Sequence, residues 1–307
     1  MQMMDKTMKA AVVTVLAAMI YLPSGAQTVL NFTRTDRDPV SVSMGGTGLA
    51  SGVNTAWAAF KNPSKLPLVE GNGEAGASFL WSGTGVPGFA AGGSYIMDRF
   101  AVTAGAAFDS GPRLDILDSD GTRTGDYLHN DITLAVGAGY AFTDKFSVGA
   151  TLRFARELLT PEVSISGVSA DILATFRASE VFSLAGGLTG IGTTVTDSNG
   201  NPYPQPAAAV AGASAVFPIG GDVAARADMD FGYFLSGGIS AAVGGEMGYE
   251  DRIFVRAGYR YCSAEALPSL AGGGIGYKAG KVRFDAAAGW TGKGNGITAT
   301  AAVAISL

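Results

Sequence analysis

Two residues bound what covalent chemistry this chain can perform: His129 is its single histidine and Cys262 its single cysteine. A Ser/His/Asp triad could be built only around His129, which sits beside Asn130 and Asp131 at the start of an alternating run and reads as a solvated loop residue. Asp118-Ser119-Asp120-Gly121 starts like a calcium loop, but His129 occupies the place where the bidentate Glu is required, so turn chemistry is the reading. Gly46-Thr47-Gly48 lacks the Lys-Ser/Thr and the strand-to-helix setting of a phosphate cradle and reads as tight backbone packing. Cys262 has no partner for an internal disulfide. No catalytic residue, metal-ligand set or cofactor is assigned.

A larger constellation consists of charges on the polar side of otherwise apolar segments: Arg153, Asp171, Arg177, Arg226, Asp228, Asp230, Glu246, Arg252, Arg256, Arg260, Lys281, Arg283 and Asp285. Both signs are mixed. Glu246 lies on the hairpin neighbour of the segment carrying Arg252 and Arg256. Buried charges need partners, so one reading is a mutually paired network filling a closed interior. The other is a polar conduit or ligand site, and the pattern leaves both open.

The elements that must position these charges have a period of two. In Lys145 to Glu157, Phe146, Val148, Ala150, Leu152 and Phe154 alternate with Ser147, Gly149, Thr151 and Arg153. Such alternation is the strand signal. It recurs in about 14 segments, each about 9–15 residues long, against the ~9–11 of a tilted transmembrane strand. The segments start near Glu74, Gly88, Arg99, Asn130, Lys145, Ser164, Glu180, Gln205, Gly221, Gly237, Asp251, Leu267, Gly280 and Gly296. Connections after even segments are short, such as Met97-Asp98 and Thr143-Asp144. Those after odd segments are longer, notably Ser110 to His129 and Ile191 to Pro204.

Aromatic residues collect at both ends of the segments, Tyr140, Phe142, Phe146 and Phe217 at the short-turn end and Trp81, Phe154, Tyr259 and Trp290 at the other. Two such girdles and alternating loop lengths belong to outer-membrane barrels. An Arg or Lys at the lipid-facing midplane costs on the order of 2–4 kcal/mol, so Phe146 to Phe154 must face hydrocarbon and Arg153 the lumen.

Composition agrees. The 307 residues are 47% hydrophobic and carry 21 Lys+Arg against 26 Asp+Glu, with no basic run to neutralise phosphates, which excludes a nucleic-acid partner. Lys6 and Lys9 precede an apolar run from Ala10 to Leu22, followed by Ser24-Gly25-Ala26. This predicts a secretory signal over residues 1–26, because so short a run falls below the ~20 residues of a membrane-spanning helix. No Cys near the cleavage site could accept lipid. The expected organisation is a signal at 1–26, a plug-like segment at 27–73 that does not alternate, and a closed antiparallel transmembrane β-barrel of about 14 strands at 74–307.

SMGGTGLASGVNTAWAAFKNPSKL, GVSADILATF, GGEMGYEDRIFVRAGYRY and GGGIGYKAGKVRFDAAAGW together resemble the PorV/PorQ family within the FadL-like outer-membrane barrels. The family's early motif is matched by Met44, Gly45, Gly46 and Gly48 and by Asn62 and Pro63, with Ser64 where Ala is usual. The resemblance implies a 14-stranded barrel in the bacterial outer membrane, with periplasmic termini, extracellular longer loops and the N-terminal segment near or inside the lumen. It further implies a non-enzymatic role in type IX secretion, through exported surface proteins or secretion-machinery components. The FadL-like alternative is transport of a hydrophobic solute leaving through a wall opening, for which glycine-rich Gly272 to Gly276 would mark a kink.

Overall fold

The computed structural model describes residues 27–82, 87–160, 163–196, 200–292 and 296–307; the expected signal lies outside them. The strands are β1 (Glu74–Ser82), β2 (Pro87–Met97), β3 (Phe100–Leu117), β4 (Arg123–Thr143), β5 (Phe146–Leu158), β6 (Ser164–Arg177), β7 (Phe182–Gly192), the two-residue β8 (Val195–Thr196) and β9 (Pro202–Tyr203), β10 (Ala208–Gly220), β11 (Val223–Phe234), β12 (Ile239–Tyr249), β13 (Ile253–Cys262), β14 (Leu270–Ala279), β15 (Val282–Thr291) and β16 (Gly296–Ser306). All but β8 and β9, which pair only with each other, form one closed antiparallel barrel in which β16 pairs β1. The expected fold, a closed 14-stranded transmembrane barrel, is the observed one.

The barrel is inverted relative to a soluble protein. Leu134, Val136, Leu152, Ile172, Met229, Val255 and Ile275 stand exposed on the outer face, while their strand neighbours Ala135, Thr151, Arg153, Asp171, Asp228 and Arg256 are buried within. An apolar outer surface of this kind suits hydrocarbon rather than water. The short turns use left-handed backbone where hairpin twist demands it: Glu250 (φ 54°) and Asp251 (φ 52°) form the tight turn between β12 and β13.

One expectation about the connections changes. Residues 110–129 are not a loop: β3 and β4 continue pairing from Arg113↔Leu128 to Leu117↔Arg123, beyond a register shift at Ser110/Arg113. The shift and the charge content hid the alternation. Ion pairs Arg113–Asp126 (2.6 Å) and Arg123–Asp115 (2.8 Å) brace this projecting hairpin, and Asp118 closes its tip by accepting from the Asp120 and Thr122 amides (2.9 Å each). The glycine-rich β14 pairs with β13 and β15 without a register shift.

Inside the barrel lies the segment that does not alternate. It contains a five-residue helix, α1 (Pro39–Ser43), capped by the Asp38 carboxylate accepting from the Ser41 amide (2.8 Å), and three 3-10 turns. Apolar clusters join the segment to the wall: Leu49 and Ala50 with Leu173 and Ala185, Ala56 and Trp57 with Ala90 and Ala107, Ala58 and Leu66 with Ile96 and Ala101.

Candidate functional site: the barrel lumen

The early motif has a packing role. Gly45, Gly46 and Gly48 all adopt positive φ (69°, 84° and 118°), turning the chain sharply after α1. Met44 sits against β13 so closely that a Cβ on Gly258 would overlap its backbone; likewise a Cβ on Gly272 of β14 would overlap the Val42 carbonyl. The inward glycines of these strands are therefore seats for α1 and the turn that follows it. Asn62 is fully buried: its Oδ1 accepts from the Ser64 amide (2.9 Å) and its Nδ2 donates to the Leu49 carbonyl (2.8 Å) and to Thr175 on β6 (3.1 Å). Pro63 follows as the first residue of a 3-10 turn, where a missing N–H costs nothing. Ser64, the departure from the usual Ala, hydrogen-bonds the Thr175 hydroxyl (2.7 Å) and, through its carbonyl, the Ser147 hydroxyl.

Most of the charges lie where alternation places them, and the barrel brings several together. On one side they form a belt of alternating sign. Arg226 on β11 pairs with Glu246 on β12 (3.2 Å), Glu246 with Arg256 on β13, Arg256 with Asp285 on β15 (2.7 Å), Asp285 with Arg283 (2.8 Å), and Arg283 with Glu74 on β1 (3.5 Å). The step from β13 to β15 crosses β14 at Gly276, where any side chain would collide with Asp285 and the Arg256 guanidinium. Glu74 closes the belt by accepting from the Thr55 amide of the N-terminal segment (2.7 Å). Phe254, which interrupts the polar side of β13, lies 5.2 Å from the Arg256 guanidinium carbon.

Of the remaining charges only Asp228 touches that belt, 3.6 Å from Arg226. Asp228 accepts from Ser214 (2.6 Å), and Asp230 accepts from the Leu49 amide (3.1 Å). Arg260 pairs with Asp36 of the N-terminal segment (2.7 Å). Arg153 pairs with Asp171 across β5 and β6 (2.8 Å). Arg177 is half-buried at the strand end and donates to the carbonyls of Leu68 (2.8 Å) and Asp144 (2.9 Å). Arg252 and Lys281 are corrections: both stand exposed in short turns outside the lumen, because the alternation of β13 and β15 extends one residue before the first paired residue of each strand. His129 is also corrected. It is half-buried on β4, facing Asp131, since the strand runs through it.

Sequence reasoning missed the charges of the N-terminal segment, which lack a periodic signal. Arg37 forms a buried pair with Asp109 on β3 (2.6 Å). Burial would raise the Asp36 carboxyl, but Lys61 and Arg260 together hold it below its usual value. Burial pulls the Lys65 ammonium down to about 8, against the opposing pull of Asp38.

It also missed a bulge in the wall. Opposite Asp171 of β6, strand β7 carries two residues, Thr189 and Gly190, so the ladder shifts between Ala170↔Ile191 and Ile172↔Leu188. Side chains replace the lost ladder bonds: the Asp171 carboxylate accepts from the Gly190 amide (2.6 Å), and Arg34 donates to the Thr189 carbonyl (3.1 Å), the Thr189 hydroxyl (2.8 Å) and the Pro206 carbonyl (2.9 Å). Arg34, Asp171 and Thr189 line a cavity of about 130 Å3 between segment and wall, with Leu49, Trp57 and Phe60 as its apolar side. A larger vestibule of about 420 Å3, with Phe32, Leu80, Leu267, Asp109 and Asp131 among its lining residues, opens at the long-loop end.

No protein-family model matches the chain, and no curated protein matches it in sequence. Solved structures do match in shape. The toluene transporter TbuX of Ralstonia pickettii aligns with a TM-score of 0.63 at 16% identity, over 88% of this chain and 98% of that one. The toluene transporter TodX of Pseudomonas putida gives 0.62 at 15%, over 87% and 97%. A FadL homologue of Pseudomonas aeruginosa gives 0.56 at 11%, over 89% and 98%. At such identities the likeness establishes the fold alone: this chain is a closed barrel of the shape those proteins share.

Proposed function

We propose that the protein is a non-enzymatic outer-membrane transport barrel that admits a small, mainly hydrophobic solute at its long-loop end and releases it sideways between β6 and β7. The observation that carries this reading is the coincidence of the wall's shifted ladder with the central cavity. There, hydrogen bonds from Arg34 and to Asp171 stand in for strand pairing. Residues 27–73 act as the plug, Arg34 being the part that fastens it to the bulge. Trp57, Phe60 and Leu49 would take the apolar body of the solute, while the paired charges opposite accommodate one polar group. The shape shared with transporters of toluene supports the class of solute. In this orientation the termini are periplasmic and the longer loops extracellular.

The test is a reversible lock. Ala170 and Ile191 are opposed across β6 and β7, at the ~4.5–5.5 Å Cα separation of antiparallel pairs that a disulfide spans. Cells relying on the A170C/I191C barrel should lose uptake of radiolabelled toluene when oxidised and recover it with reductant. Equal uptake in both states would sink the lateral route.

One feature supports the second reading, a role in surface-protein export: the projecting β3–β4 hairpin, whose Leu114, Leu117 and Leu128 are exposed above the barrel. Deleting residues 112–127 should then release exported surface proteins into the medium without altering solute uptake.

A further inference from the structure

At the outer end of β3, β4 and β5, three carboxylates occupy one row. Asp109 is opposite Asp131, and Asp131 is opposite Glu157, all on the inward face. Like charges directly opposed across strands repel. The N-terminal segment pairs directly only with the first, through the buried Arg37–Asp109 contact, and Arg37 acts on Asp131 only at longer range. No lysine or arginine pairs with Asp131 or Glu157 among the described residues. His129, two residues before Asp131 on the same face, fills the place a cation would take, its Nε2 lying 3.4 Å from Asp131 Oδ1. That oxygen is fully buried and accepts no hydrogen bond, and the Asp131 side chain as a whole is only 13% exposed.

One donor atom from each of His129, Asp131 and Glu157 lies within 4.8 Å of the other two. A four-coordinate divalent ion with bonds of about 2.0–2.2 Å needs donors about 3.3–3.6 Å apart. The histidine–aspartate distance already meets this, and a rotation of the longer Glu157 side chain closes the third side. Asp131 lines the outer vestibule, so an ion reaches the site from the long-loop end. One imidazole with two carboxylates selects zinc or a similar transition ion over calcium, which takes oxygen donors alone.

We infer that His129, Asp131 and Glu157 form a divalent transition-metal site at the outer mouth of the barrel, with solvent completing the coordination. The bound ion takes, for Asp131 and Glu157, the part Arg37 takes for Asp109. Sequence spacing could not reveal it, since Glu157 is brought to Asp131 only by strand register.

The test is zinc titration by calorimetry of the tag-free, detergent-purified full chain, alongside H129A and E157Q, with retention of the folded barrel checked by heat-modifiable gel migration. One zinc per chain is expected, with affinity at least tenfold weaker in each variant, and X-ray absorption of the zinc-loaded protein should report a single nitrogen among oxygen neighbours. Absence of zinc binding, binding unchanged in both variants, or calcium binding as tightly as zinc would each overturn the assignment. Should either variant fail to fold, H129Q replaces the imidazole by a neutral amide of similar reach and decides by the same tenfold criterion.

Discussion

The wall running from β11 through β16 to β3 and the wall from β3 to β7 solve the same problem differently. In the first, every strand pair keeps its register, and the lumen charges are joined strand to strand in the belt from Arg226 to Glu74. In the second, registers shift at Ser110/Arg113, Ile116/Leu117, Ala141/Thr143 and Ala170/Ile172. Pairing within one continuous sheet makes a rigid wall, whereas under the proposed lateral route the wall that borrows Arg34 from the N-terminal segment would release that bond to open.

The most damaging way to break the comparison is to strike the belt. Glu246→Leu leaves Arg226 and Arg256 without their shared acceptor in a buried setting, and loss of one partner from such a pair costs about 3–5 kcal/mol. A lower denaturant midpoint for barrel unfolding, followed by gel migration, checks this. Arg34→Ala should cost less, about 1–3 kcal/mol for stranded backbone acceptors, and its signature is local. Amide exchange should quicken at Gly190 and Ile191 while the β12–β13 amides stay protected, and solute uptake should rise. Equal quickening in both walls would erase the distinction drawn here.

The next pair of variants sharpens the inward–outward difference within a single strand. Gly272→Ala forces a methyl into the Val42 carbonyl and should destabilise by about 1–3 kcal/mol, exposing the N-terminal segment to protease. Its neighbour Gly273→Ala points outward, where the nearest atom is 3.8 Å away, and should change the midpoint by no more than about 0.5 kcal/mol. Smallest of all is Lys278→Ala. It removes an exposed ion pair to Asp251 and should cost at most about 1 kcal/mol, vanishing at high salt in the same unfolding assay.

Much of this architecture was legible before any coordinates. Fourteen alternating segments anticipated the fourteen barrel strands, and Arg153, Asp228, Arg256 and Asp285 were placed on the buried face by the cost of charge in lipid. The errors share one cause, which is that periodicity does not announce its own end. Arg252 and Lys281 kept the phase of their strands but stood in turns, while residues 110–129 lost the phase at a bulge and still paired.

What the sequence determined by itself is the facing of each strand, because successive side chains point to opposite sides whatever the strand's partners are, and hydrocarbon rejects charge locally. Only the closed barrel decided that Glu246 would hold two arginines, that Gly272 would seat α1, that Arg34 would mend β7 and that Glu157 would stand against Asp131. Those contacts join residues distant along the chain, and their chemistry depends on strand register and on the path of the one segment that carries no period.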